Sequence, residues 1–443
     1  TLQMNRTEGG RPQPVFSNLN AVAVIVGIVI GIGIFRLPPL VAANAGNEWE
    51  FIGFWIAGGL VSLIGALCYA ELASAYPDAG GEYYLLSKAY GSSLGFLFSW
   101  GRMTVIQTGT IALAGFILGD YASRLLDLGE YSSAIYAALT VVGLTGLNLW
   151  GTSPSKRTQN VVTGAIVFIL LFMALGSILG TELYGFGSAS PSGTGGSVGS
   201  AMIFVLLTYG GWNEAAYLSG ELKDVRKNMM KVLIVGIGVI TLIYVLVNYA
   251  YLHVLGLEGL RQSEAVGADL TAYFLGTKGA LLLSALVIIT ALSTANATII
   301  TGARTNYALG RDFSILGFLG RWSEKNNTPV NALLVQGAIA MLLVVVGALT
   351  KQSVTTMVDY TAPVFWFFLL LTGISLFIFR YRNPDTALPF SVPLYPVTPI
   401  LFVLTCGYML YSSLVFTGVG ALLGVGILLT GIPVLLWAKK KSA

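Results

Sequence analysis

The sequence predicts an all-α membrane protein of about twelve spans arranged in two halves. Three observations carry this. Of its 443 residues, 55% are hydrophobic and only 10% charged, and the apolar residues fall in blocks of about 20, the length that crosses a bilayer's hydrocarbon core. Lys and Arg collect in alternate connections between those blocks. Two blocks, in corresponding positions of the two halves, are interrupted by glycine at Gly31-Ile32-Gly33 and at Gly210-Gly211.

Charged and Pro/Gly-rich punctuation delimits the elements. After a charged segment 1–17, the first span (roughly 18–46) carries the first glycine break. Spans at roughly 51–75, 93–124, 133–150 and 159–181 complete a first half, 18–181. The stretch from Gly185 to Ser200 is low in complexity and is expected to be a flexible external connection. A second half, 199–381, opens with the span carrying the second break (roughly 199–220) and continues with 230–256, 279–308, 330–350 and 356–380. Spans at roughly 395–415 and 418–438 follow, and then a basic tail, 439–443, with Lys439, Lys440 and Lys441 near anionic lipid.

Orientation follows from the cations. Lys88, Lys156, Arg157, Lys223, Arg226, Arg304, Arg311, Arg380 and the tail fall on one side, whereas Arg124, Arg261, Lys278 and Lys351 fall on the other. Both termini are therefore expected in the cytoplasm, with the chain multi-pass in the cell membrane. The net charge of +4 reflects this topology and does not indicate a nucleic-acid partner. Residues before Val15 carry charge without an apolar run and small-residue cleavage site, so no signal peptide is expected. Cys68 and Cys406 lie inside apolar spans, as small hydrophobes with no disulfide.

A helix in lipid satisfies its backbone internally, so unwinding is tolerated only where the freed groups line a cavity. Two matched breaks then point to a transporter's substrate site. The competing reading, glycines that simply let helices pack closely, explains one break better than a matched pair. A phosphate loop is excluded, because no strand precedes the first Gly-x-Gly.

The runs Val26-Gly27-Ile28-Val29-Ile30-Gly31-Ile32-Gly33-Ile34-Phe35, Gly65-Ala66-Leu67-Cys68-Tyr69-Ala70-Glu71-Leu72 and Tyr209-Gly210-Gly211-Trp212-Asn213 strongly resemble the L-type amino acid transporters of the amino acid, polyamine and organocation superfamily. Thr241 to Leu246 with Asn248, and Ser263 to Val266, resemble the same family's seventh helix and following loop. The resemblance implies a LeuT-like fold with twelve helices, a five-plus-five inverted repeat, discontinuous helices 1 and 6, and alternating access for an amino acid.

A zwitterion needs N–H donors for its carboxylate and C=O acceptors for its ammonium. The N–H groups of Gly31, Ile32 and Gly33, at the positive start of a half-helix, suit the carboxylate. Carbonyls around Val29, Ile30, Leu207 and Gly210 suit the ammonium, with Tyr209, Gly211 and Asn213 completing the substrate-binding set. Phe365 and Trp366 are candidates for the pocket wall.

Departures from the family pattern are informative. Ile32 stands where many relatives carry Ser, which leaves the carboxylate to backbone donors alone. Leu207 takes the place of an aromatic gate and is either an aliphatic lid over a small or medium neutral side chain or ordinary lining. Ile166 stands where many sodium-independent relatives place a Lys. Ser293 and Thr294 form a hydroxyl pair where sodium-coupled LeuT-like transporters ligate an ion. With the carbonyls of Gly27 and Ile30 they could hold Na+ through hard oxygen donors; in the bland alternative the hydroxyls back-bond to the preceding turn. Sodium coupling, proton coupling and pure exchange stay open, and no other cofactor is expected.

Few charges lie within spans, and each is a functional candidate because burial in lipid costs several kcal/mol. Glu214, just past the second break, could carry a coupling proton. Arg102 is expected to pair with Glu214 or Glu71, and Arg36 to face either an outer vestibule, which would admit acidic substrates, or the headgroups. Asp359 sits near a span end. His253, the single histidine, reads as interfacial, and Trp212 and Tyr244 as packing. The loop from Leu126 to Ser132 lacks the Cys by which animal members attach a heavy chain, so no disulfide-linked ancillary subunit is expected. An enzyme would need clustered His, Cys or acidic residues in the spans. A channel would use broken helices without an occludable site. The runner-up is a cation-coupled permease for acidic or cationic amino acids, polyamines or nucleobases.

Overall fold

A computed structural model describes residues 18–76, 81–151, 156–180, 196–213, 224–324, 326, 328–384 and 388–442. Among these the secondary structure is helical apart from one isolated bridge between Ser323 and Thr328. Among the described residues nine helices are long and apolar enough to cross a membrane.

The first span is broken as expected. Helix α1 (Asn18–Val29) ends, a 3₁₀ turn follows at Ile32–Phe35, and α2 (Pro38–Ala42) starts on a proline pair. Proline at the first helical position costs nothing, since that N–H has no intrahelical partner. Helix α3 (Glu48–Ala75) opens on Asn47, whose side chain accepts the Glu50 N–H at 2.9 Å, while the Glu50 carboxylate takes the Gly46 N–H at 2.7 Å. A helix that the span pattern does not contain, α4 (Glu82–Tyr90), lies between the second and third spans.

The long helix α5 (Ser92–Ser123) contains a π-turn at Arg102–Ile106, the kind of local widening that recurs at functional sites. It packs on α6 (Ser132–Leu149), α10 (Val266–Asp312) and α12 (Ser353–Arg382) and is the most enclosed of the nine helices. Helix α7 (Lys156–Gly180) packs against α9 (Val225–Gln262), which also packs on α1 and α3. Between them in sequence, α8 (Val198–Thr208) is the short first part of the second broken span. Helix α11 (Val330–Thr350) packs on α5 and α6. Helices α13 (Val397–Val415) and α14 (Val419–Ser442) pack on α12.

Two boundaries expected from sequence reappear as kinks. Helix α9 turns sharply at Gly256 (φ +65°), and α10 at Gly276 (φ +64°), so the ordered turns 257–262 and 266–275 cap one side of the bundle. Arg261 fixes this cap by donating to the carbonyls of Ala42 (3.0 Å) and Ala45 (2.7 Å) at the end of α2. We call this side, which carries the 124–131 loop, distal, and the side of Asn18 proximal.

His253 is 3% exposed and lies beside Tyr249, so it is buried within the protein. The low-complexity connection lies largely outside the described residues, as do segment 1–17 and Glu214.

Candidate functional site

The two breaks meet at the centre of the bundle. A Cβ added to Gly211 would fall 3.0 Å from both the Cγ2 and the carbonyl oxygen of Ile28, and one added to Gly33 would fall 3.4 Å from Thr208 Cα. The end of α1 therefore lies against the second break, and the start of the 3₁₀ turn against the end of α8. At Gly211 φ is +104°, a conformation that only glycine adopts without strain.

Two helix C-termini and one N-terminus converge here. The helical ladder of α1 ends with Ile30 N–H donating to Val26 O at 2.9 Å, and that of α8 with Tyr209 N–H to Val205 O at 3.0 Å. The carbonyl ends carry partial negative charge, and the first N–H groups of the Ile32–Phe35 turn carry partial positive charge. Facing dipoles of opposite sense suit a zwitterion.

Tyrosine hydroxyls stabilise the unwound backbone. Tyr244 Oη lies 3.1 Å from Val29 O and 3.0 Å from Thr208 O, so one proton serves the last carbonyls of both half-helices. Its ring is held edge-on by Tyr209 (4.9 Å) and Trp55 (6.0 Å). Further along the first span, Tyr251 donates to Ile34 O (3.3 Å) and Tyr121 to Phe35 O (2.7 Å), and Tyr121 accepts from Gly267 N–H (3.1 Å). Sequence reading treated Tyr244 as packing. The available clue was a phenol deep in an apolar helix, whose hydroxyl requires a partner.

A cavity of about 350 Å³ opens at the breaks, near the lower end of the roughly 300–1,000 Å³ of small-molecule sites. Val29, Gly31, Ile32, Gly33, Leu207, Gly210, Gly211 and Asn213 of the expected set line it, and so do Phe365 and Trp366. Tyr209 does not line the cavity: it is fully buried, with its hydroxyl donating to Trp55 O at 2.8 Å, and so is a support for Tyr244. Ile30 is buried off the cavity wall. Thr294 reaches the wall, whereas Ser293 and Gly27 do not line it, and Ile166 is buried among apolar neighbours.

Sequence reading did not find the rest of the wall. Gln107, Thr110, Thr298 and Thr361 line it from α5, α10 and α12. Gln107 donates to Thr298 O (2.8 Å), and the threonines donate to carbonyls of their own helices, which leaves oxygen lone pairs as their free capacity. At the proximal end stand Glu82 and Arg102, the only charged residues on the wall among those described. Arg102 Nη1 lies 3.9 Å from Glu82 Oε2, so among described carboxylates its ion-pair partner is Glu82 and not Glu71.

Glu71 instead forms a bidentate pair with Arg380 (2.8 and 2.7 Å) and accepts the Val392 N–H (2.7 Å). Arg36 has an ion-pair partner that sequence reading did not find: its Nε donates to Asp120 at 2.6 Å, both side chains about 15% exposed. That pairing cancels the positive charge that would favour acidic substrates. Around it Ile34, Phe35, Tyr121, Tyr251 and Val266 are fully buried, a packed layer on the distal side of the first break.

The sequence matches the amino acid permease family over residues 16–437. It is 29% identical over 415 residues to the b(0,+)-type amino acid transporter 1 of Mus musculus, covering 90% of this chain and 82% of that one. It is 27% identical over 430 residues to the serine/threonine exchanger SteT of Bacillus subtilis (strain 168), covering 96% and 97%. The large neutral amino acids transporter small subunit 2 of Mus musculus is 28% identical over 428 residues, covering 94% and 79%.

Proposed function

The chain belongs to the amino acid permease family, and from that premise we propose that it carries neutral L-amino acids of small to medium side chain across the cell membrane as an exchanger. As a member of that family it is an amino acid transporter and not an enzyme.

One observation carries the proposal: at the breaks the cavity presents backbone dipoles of both signs, and among the described residues its charged side chains, Glu82 and Arg102, stand only at the proximal end, with Leu113, Ile117, Ile203, Leu207, Phe365 and Trp366 around the breaks. Unwound termini satisfy the α-carboxylate and α-ammonium. Beyond them the wall beside the breaks is apolar with a few threonine oxygens, and the two charges at the proximal end, Glu82 and Arg102, pair with each other at 3.9 Å, which leaves a second full charge on the substrate poorly matched. The name of the Bacillus relative, a serine/threonine exchanger, supports exchange of small neutral substrates. Alternating access then requires the packed distal side to open as the proximal side closes.

In this reading the termini face the cytoplasm, as the cation distribution favours, so the proximal side is cytoplasmic. Exchange needs no coupling ion. The transporter works without a disulfide-linked partner, since both cysteines are fully buried within α3 and α13.

The test is uptake of labelled alanine, leucine, glutamate and arginine into proteoliposomes. Vesicles carry a sodium gradient, a proton gradient, or internal unlabelled alanine with neither. Uptake of alanine or leucine stimulated by internal alanine alone is expected. Uptake restricted to glutamate or arginine, or accumulation driven by an ion gradient into empty vesicles, would refute the proposal.

A further inference from the structure

The breaks account for the centre of the cavity but not for its proximal end. Glu82 opens α4 directly after Gly81, whose φ of +51° makes the turn into the helix. Its side chain is 11% exposed and forms part of the cavity wall. Oε1 accepts from Tyr69 Oη at 2.7 Å and from Asn213 Nδ2 at 3.4 Å, and Oε2 lies 3.9 Å from Arg102 Nη1. One carboxylate thus touches α3, the π-turn of α5 and the segment just past the second break.

Packing makes these contacts a unit. The Tyr69 ring meets Trp212 edge-on at 5.3 Å and Phe402 at 6.2 Å. Gly65 lets Trp212 lie against α3, since a Cβ there would fall 2.5 Å from its ring. Trp212 and Asn213 are the first residues beyond Gly211, so whatever holds them anchors the far side of the second break. The contact to Tyr69 is short and fixed. Those to Asn213 and Arg102 are long, and both cross the cavity wall, so they are the contacts that tighten or part when the wall moves.

We propose that Glu82 is a positioning residue for transport: it holds Asn213, just past the second break, against α3 and α5, and so sets how far the cavity opens on the proximal side. The proposal rests on the reading of this cavity as the substrate site. A carboxylate suits the task because hydrogen bonds to a charged acceptor are about twice as strong as neutral ones, yet each is exchangeable within the cluster. Loosening them shifts the population toward the proximally open form, and affinity measured from the distal side falls by the fraction of protein that no longer presents its site there.

Two variants separate this role from simple damage. Glu82→Gln keeps the shape and an acceptor for Tyr69 but removes the charge that attracts Arg102. Tyr69→Phe keeps the ring on Trp212 and removes only the hydroxyl. Each is measured for alanine exchange, and each is also combined with Thr298→Cys, a cavity reporter labelled by an impermeant maleimide from the proximal side in inside-out vesicles. The native Cys68 and Cys406, both fully buried, give little background. For Glu82→Gln, a rise of about ten-fold in KM for alanine on the distal side is expected, with labelling several-fold faster. Tyr69→Phe should move both in the same direction by less. KM and labelling within about two-fold of the parent would overturn the proposal, as would a fall in maximal rate with both unchanged, the pattern of lost folded protein. If the unsubstituted protein exchanges no alanine, the substrate reading fails, and the labelling rates still decide the role of Glu82.

Discussion

Replacing Tyr244 with Phe removes one oxygen and leaves the ring in place between Trp55 and Tyr209, where edge-on contacts hold it. Val29 O and Thr208 O then lose a donor now at 3.1 and 3.0 Å. A buried carbonyl deprived of its partner costs about 1–3 kcal/mol, and the exchange for a water in the cavity recovers part of it. A net effect of about 2 kcal/mol on the geometry of both breaks corresponds to roughly thirty-fold in an equilibrium. The assay is alanine exchange in proteoliposomes at several substrate concentrations, with thermal unfolding of the purified variant in detergent as control. A loss of about ten- to thirty-fold in kcat/KM is expected from a protein that is still folded. Values within two-fold of the parent would show that the two half-helix ends need no shared donor, and the reasoning that ties the breaks together through Tyr244 would be wrong.

Four other substitutions follow from the same geometry. Gly211→Ala places a methyl at φ +104°, 3.0 Å from Ile28, and should abolish exchange in a folded protein; Gly210→Leu, whose Cβ would meet Leu207 O at 2.9 Å, should do the same. Normal exchange by either variant would remove that residue from the site. Arg380→Ala leaves the Glu71 carboxylate, 3% exposed, without its cation and should destabilise the fold by about 3–5 kcal/mol, read as a marked fall in melting temperature; an unchanged melting temperature would count against a structural role for the pair. Asp120→Asn removes the charge that pairs with Arg36, and alanine exchange should slow while inhibition by glutamate strengthens. If glutamate inhibition does not change, Arg36 has no bearing on charge selectivity.

The spans were legible because a bilayer imposes local rules. An apolar run must be long enough to cross, so the helices Ser92–Ser123, Val330–Thr350 and Val397–Val415 start and stop within about two residues of their expected bounds. Glycine breaks were legible for the same reason, since unwound backbone in lipid is tolerated only beside a cavity, and Gly31, Gly33, Gly210 and Gly211 do line one. Helix α4 escaped notice because it is short and carries charge, which places it outside any rule about spans. One span was expected to end at 256 and the next to start at 279, whereas helix continues past Gly256 and precedes Gly276, in each case across a change of direction.

Composition, length and glycine placement thus determined a bundle of membrane-spanning helices with two interrupted members, because each of those properties acts within one turn or one span. Partners were decided only by the tertiary structure. Arg36 meets Asp120 across 84 residues, Glu71 meets Arg380 across 309, and Tyr244 reaches the first break across 215. A charge or hydroxyl buried in an apolar bundle must find a counterpart, but which counterpart depends on the order in which helices pack. That order, which sets Ile28 against Gly211 and brings Glu82 beside Asn213, is a property of the assembled bundle and of no single segment.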